Sequence, residues 1–263
     1  MIVALFSRSR YSGMQTSRFL LLSRAVVPSC GLATGSTAST LASRLSELLL
    51  DPSLIKTSSS EKSTFPVHDP AEPASALANV PAMNHLDARD AIQRSHDVLP
   101  SWRDETTAAY RGSLLTKWSS LIKENVQDLS LLVTLESGKP LTESKGEVSY
   151  AASFLDYYAG EAIRPTGAGG GFMVPSSFSG PITSGGTAPP RGHIMAIQQA
   201  VGVTALITPW NFPLAMITRK VGPALAAGCT AVIKPSELTP LSAVALCALA
   251  DRAGIPSHVL QLV

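Results

Sequence analysis

The sequence predicts an α/β protein in which N-terminal helices lead into a partial doubly wound parallel sheet. Three observations predict it. Apolar residues recur at helical spacing between Ala88 and Ile163. A Gly- and Pro-rich stretch from Pro165 to Pro190 then interrupts all periodicity. Residues 193–263 alternate short strand-like runs with helical ones, the order of half a doubly wound sheet.

The 263 residues suffice for one large or two ordinary domains with an ample apolar core. A net charge of +2 provides no basic field for nucleic acid. Cys30, Cys229 and Cys247 form no CxxC pair and no even framework, which argues against a disulfide scaffold. The five histidines are scattered without HExxH or a Cys/His cluster, so no metal site is expected.

Residues 1–46 carry Arg8, Arg10, Arg18, Arg24 and Arg44, many serines and no acid. "SRFLLLSRAVV" is too short and too interrupted by arginine to span a bilayer, so no membrane partner is expected. Arg-rich, Ser-rich and acid-poor composition predicts a mitochondrial transit peptide, with matrix location. Residues 47–64 read as a polar linker and 65–164 as a helical part.

Within that part, Ala88, Ala91, Ile92, Ser95, Val98, Leu99 and Trp102 mark a first helix ending near Pro100. A second helical region starts near Thr106 and runs through "LSLLVTLE" to "SGKP", where Gly138 and Pro140 supply the stop. A third spans roughly Thr142 to Ile163. The segment 165–192 holds seven glycines and five prolines between Pro165 and Pro190 and no charge there, and reads as a surface loop or insertion without regular structure. Its "GAGGG" fails the dinucleotide fingerprint, because Phe172 occupies the last glycine position.

The first part of a nucleotide-binding sheet is expected over 193–263. "HIMAIQQAVG" reads as a strand or hairpin arm and "VGVTALIT" as a buried strand. A helix over Phe212–Ala227, the strand "TAVIKP", a helix over Thr239–Ala253 and the strand "HVLQLV" follow. Function in such sheets gathers at the carboxyl ends of strands, here Thr208–Asn211 and Lys234–Glu237. Asn211, bracketed by Pro209 and Pro213, offers a fixed amide donor. Its position allows two readings, a cap on the next helix or a donor to an oxyanion. Lys234 and Glu237 suit donation to and acceptance from ribose hydroxyls, or an ordinary exposed pair near a helix start.

Together, "ITPWNFP", "KVGPALAAGCTAVIKPSELTPLSA" and "LADRAGIP", with "LESGKPLTESKGEV" and "YYAGEA" upstream, closely resemble the aldehyde dehydrogenase superfamily. The resemblance runs from Phe65 to Val263, except for the Gly/Pro-rich segment. "PWNFPLAMITRKVGPALAAGCT" is most similar to its mitochondrial succinate-semialdehyde branch, which belongs to 4-aminobutyrate breakdown. The resemblance implies an incomplete aldehyde dehydrogenase fold and the NAD-dependent oxidation of succinate semialdehyde to succinate. It places Asn211 as the oxyanion-stabilising residue. It places Ile207, Thr208, Pro209 and Trp210 at the dinucleotide. Lys234, Pro235, Ser236 and Glu237 fall at the adenosine ribose, where the Glu237 carboxylate favours NAD over NADP. Arg219 falls at the substrate's distal carboxylate. The full-length family forms homo-oligomers, using the hairpin near His193–Val201.

In the family a cysteine thiolate adds to the aldehyde, hydride passes to NAD, and a glutamate-activated water releases the acid. That cysteine and glutamate correspond to positions beyond Val263, and none of the three cysteines present stands in for the nucleophile. The 263 residues alone are therefore expected to be inactive. The alternatives are a dehydrogenase of another aldehyde and a non-catalytic remnant that associates with complete subunits.

Overall fold

A computed structural model describes residues 63–164, 170–175 and 192–263. The expected transit peptide, with Cys30, lies outside them, as does most of the linker.

The chain opens with an antiparallel hairpin, β1 (Thr64–Asp69) and β2 (Glu72–Pro81). This corrects the reading of 65–164 as helical only and moves Thr64 from the linker into a strand. Pro66, Pro73 and Pro81 disguise the hairpin in the sequence, yet a two-stranded ribbon consists of edges, where proline is tolerated. Val67 and Val80 point into the core. The Asp69 side chain accepts from the Ala71 amide at 2.8 Å and closes the turn.

Helix α1 (His85–Asp104) begins with a reciprocal capping box: Asn84 accepts from Leu86 and Asp87, and Asp87 accepts from the Asn84 amide. The helix does not stop at Pro100. Trp102 is buried in the core and Ser101 bonds back to the Val98 carbonyl, so packing holds the last turn against the proline. The single second helix expected from Thr106 is two, α2 (Ala108–Glu124) and α3 (Val126–Ser137). Asn125 separates them, its backbone and side-chain N–H groups both reaching the Leu121 carbonyl. Gly138, at φ 72°, stops α3 as expected, and a side chain there would also press on Pro70 of the hairpin turn. Helix α4 (Leu141–Ala162) matches the third expected helix within a residue.

Strand β3 (Gly171–Pro175) pairs antiparallel with β4 (His193–Ile197). The hairpin arm is as predicted, but its partner comes from the segment read as structureless. "GFMV" has the β-propensity to pair where its glycine-rich flank does not. Phe172, Met173, Ile194, Met195 and Ile197 are all exposed on this ribbon.

The parallel sheet follows as predicted: β5 (Val203–Ile207), α5 (Ala215–Ala226), β6 (Thr230–Lys234), α6 (Pro240–Ala253) and β7 (Leu260–Leu262), in the order β5-β6-β7. Val203 to Ile207 pair with Thr230 to Lys234, so both strand ends finish level. Helix α5 starts three residues later than expected, leaving 208–214 as a loop. Strand β7 forms one edge, half-buried rather than bare, since Leu260 and Leu262 pack on the core. Helix α1 lies across all three strands, while α2 bridges α4, α5 and α6. Trp118, Leu155, Leu225, Ile233 and Leu246 join the two helical layers and the sheet in one core.

Helices α2 and α4 approach closely at Gly112, where a Cβ would stand 2.9 Å from the Ala159 carbonyl oxygen. Gly112→Val forces the helices apart. Urea denaturation should register a loss of about 1–3 kcal/mol.

Candidate functional site

The two carboxyl ends are stitched together. The Thr208 amide donates to the Lys234 carbonyl at 3.1 Å, which sets the "TPWN" loop beside "KPSE". Thr208, Pro235 and Ser236 are buried; Ile207, Pro209, Trp210, Asn211, Lys234 and Glu237 are exposed. Lys234 Nζ lies 3.4 Å from Glu237 across the loop. The Glu237 carboxyl is held below its usual range, first by its own backbone amide and then by Lys234.

Asn211 does not cap α5. Leu214 occupies the N-cap and supplies no side-chain acceptor. The acceptor arrives from α4: Glu147 Oε1 receives the amides of Leu214 at 2.9 Å and Ala215 at 3.4 Å. Glu136, in the last turn of α3, does the same for α6, receiving the amides of Leu241 and Ser242 and the Ser242 hydroxyl. Each sheet helix therefore has its orphan N–H groups satisfied by a buried glutamate from another helix. The Asn211 side chain makes no hydrogen bond among the described residues; its backbone carbonyl accepts from Lys139 Nζ at 2.9 Å.

Sequence reasoning missed Glu136, Lys139 and Glu147. A signal was present: Glu147 shares the buried face of α4 with Ser144, Val148 and Ala151, and a carboxylate there requires donors. Lys220 was also missed; its Nζ donates to the Ile207 carbonyl at the end of β5.

Arg219 is exposed on the second turn of α5, its guanidinium 6.0 Å from the Phe154 ring centroid. It is not drawn into either cavity beside the strand ends. One, of about 230 Å³, is lined by Lys234, Pro235, Ser236 and Glu237 with apolar Val80 and Val244. The other, of about 410 Å³, lies between Trp210, Glu237, Glu136 and Thr239. The buried Thr239 hydroxyl in that wall has no hydrogen-bond partner among the described residues. The first of these clefts, apolar with a cation and an acceptor among its lining residues, has the chemistry that a nucleoside with ribose hydroxyls needs.

Cys229 is buried just before β6, at the amino end of the sheet and away from Asn211. Cys247 lies within α6, where burial pushes its thiol up to about 12. Among the described residues no group of three or more His, Cys, Asp or Glu is arranged to hold a metal. No described helix is long and apolar enough to cross a membrane.

The sequence pattern of the aldehyde dehydrogenase family matches residues 56–263. The chain is 48% identical over 200 residues to glutarate-semialdehyde dehydrogenase of Pseudomonas aeruginosa, covering 76% of this chain and 38% of that protein. It is 48% identical over 187 residues to the NADP(+) succinate-semialdehyde dehydrogenase GabD of Escherichia coli, covering 71% and 36%. To the mitochondrial succinate-semialdehyde dehydrogenase of Arabidopsis thaliana it is 44% identical over 203 residues, covering 77% and 35%. The chain thus spans little more than a third of the curated relatives it matches. Among solved structures, succinate-semialdehyde dehydrogenase from Burkholderia pseudomallei superposes with a TM-score of 0.70 at 42% identity, over 82% of this chain and 43% of that one. Betaine aldehyde dehydrogenase from Staphylococcus aureus, in complex with NAD+, gives 0.71 at 30% identity, over 85% and 42%. With the parallel sheet, the level strand ends and these likenesses together, the chain belongs to the aldehyde dehydrogenase family.

Proposed function

We propose that this chain provides the oxyanion donor and the adenosine contacts of an NAD-dependent oxidation of succinate semialdehyde to succinate. The observation that carries the reading is the exposed Asn211 amide, relieved of capping by Glu147 and carried on the loop that leaves β5 where Ile207 pairs with Lys234. Asn211 Nδ2–H donates to the aldehyde oxygen as negative charge develops on it. Lys234 donates to, and Glu237 accepts from, the ribose hydroxyls of the adenosine half, with Pro235 and Ser236 shaping the turn. Ile207, Thr208, Pro209 and Trp210 line the approach of the dinucleotide. NAD, when bound, supplies the hydride acceptor.

Arg219 pairs with the far carboxylate of the substrate. Succinate and glutarate semialdehydes, named for the relatives, both carry one. Its exposed guanidinium is free of any carboxylate partner among the described residues, which supports this assignment.

Residues 1–46 act as a mitochondrial leader, a reading supported by the mitochondrial relatives, with 47–63 as linker. Residues 64–164 and 193–263 form the hairpin-helical and nucleotide-binding parts. The exposed apolar faces of β3 and β4 suit contact with a second subunit. Among the described residues neither Cys229 nor Cys247 lies at the carboxyl ends of β5 and β6, which supports the reading that the 263 residues alone are inactive.

Equilibrium binding of NAD and NADP to the full chain tests the reading. NAD should bind more tightly, and Glu237→Gln should narrow the difference about tenfold by removing repulsion of the 2′-phosphate. Equal affinities before and after the change would remove Glu237 from the site. Succinate-semialdehyde oxidation by the chain above that of its Asn211→Ala variant would overturn the inference of inactivity.

A further inference from the structure

Lys139 and Glu147 reach the Asn211 segment from 72 and 67 residues upstream of the groups they bind. Lys139 sits in the α3–α4 connection between the left-handed Gly138 and Pro140, which ends one helix and starts the next. Its side chain is 13% exposed and that of Glu147 only 1%. The two form an ion pair through Glu147 Oε2, leaving Oε1 for the amides of Leu214 and Ala215. Lys139 Nζ then makes a second bond, to the Asn211 carbonyl, and lies 4.1 Å from the centroid of the Phe212 ring. The loop is thus gripped from one side at three successive points: a carbonyl at 211, a ring at 212 and amides at 214 and 215.

We propose that Lys139 is a positioning residue for Asn211, holding the peptide after Asn211 so that the side-chain amide projects in one direction. The proposal rests on reading Asn211 as the oxyanion donor. The Asn211 amide has no hydrogen-bond partner of its own among the described residues, and the backbone that carries it sets the direction of its Cα–Cβ bond. That backbone is anchored at the 211 carbonyl by a charge-assisted bond. Pro213 limits the conformations open to Phe212 before it. The Glu147 acceptor fixes where α5 begins. Removing the Lys139 ammonium frees the 211–212 peptide to rotate while the helix start stays tied. A pair acting only through stability would leave the Asn211 amide where it is whenever the fold is retained.

Selective ¹⁵N-asparagine labelling of the full chain reads this directly, because the sequence holds four asparagines, Asn79, Asn84, Asn125 and Asn211. The Asn211 side-chain pair is identified by its loss in Asn211→Ser. Flanking Trp210 and Phe212 rings make its shifts sensitive to orientation. In Lys139→Met the pair should shift, because the backbone that sets it between the Trp210 and Phe212 rings is no longer anchored, with the other three unmoved. The double variant Lys139→Met/Glu147→Gln leaves no uncompensated buried charge and keeps an acceptor for Leu214; it should show the same displacement. An Asn211 pair unmoved in both variants overturns the proposal. So does a displacement shared by all four pairs in the double variant, which would report a general change. The measurement uses neither dinucleotide nor aldehyde, so its outcome is separable from failure of the dehydrogenase reading.

Discussion

Glu147→Leu should lower the unfolding free energy by about 3–5 kcal/mol, the cost of removing one partner from a buried ion pair. Leucine nearly fills the space, so a cavity is not the main cause. The loss comes from what remains: the Lys139 ammonium, largely shielded from water, loses its counter-charge, and the amides of Leu214 and Ala215 lose their acceptor. Glu147→Gln keeps an oxygen for those amides and should cost less, about 1–3 kcal/mol. Urea denaturation of the full chain separates the two by their midpoints, provided the slope is unchanged. A Leu variant within about 1 kcal/mol of the parent would mean that water replaces both interactions.

The second large effect is a pH dependence with an unusual sign. Burial raises the Glu136 carboxyl to about 7, outweighing the donors from Ser242 and Leu241 that pull it down; nearby Glu147 adds a small upward push. The unfolded chain releases that proton near its ordinary value of 4.5. Between these values the folded state binds more protons than the unfolded one, so stability falls as pH rises through the window. The swing amounts to about 3 kcal/mol at its full extent. Glu136→Gln, which does not titrate, should flatten the slope between about pH 4.5 and 7. Denaturation midpoints at both ends of the window measure it. An unaltered slope in the variant would assign the titration to another group. Glu237 does not confuse the test, since its carboxyl is shifted downward and acts below the window.

The two glutamates also show what a sequence does and does not disclose. The β5-α5-β6-α6-β7 order was legible because each element carries its own local pattern: "VTALI" and "TAVIK" for strands, Gly228 and Gly254 where helices stop. Both strand ends were legible for the same reason. The β1–β2 hairpin was not, because its prolines contradict a strand in isolation and only pairing makes them harmless. Nor were Glu136 and Glu147. A cap is ordinarily sought within a few residues of the helix it serves, and here the acceptors come from 105 and 67 residues away. Asn211 shows the converse. Its position allowed a cap as well as an oxyanion donor, and the structure releases it from capping because Glu147 has taken the place.

Borrowed acceptors carry a consequence for biosynthesis. Whenever the chain is delivered from its N-terminus, by a ribosome or by an import channel, α3 and α4 arrive before 208–215 and 235–242, so the carboxylates are waiting for the later segments. The nascent α2–α4 bundle thus serves as a mould in which the two nucleotide-side loops are cast.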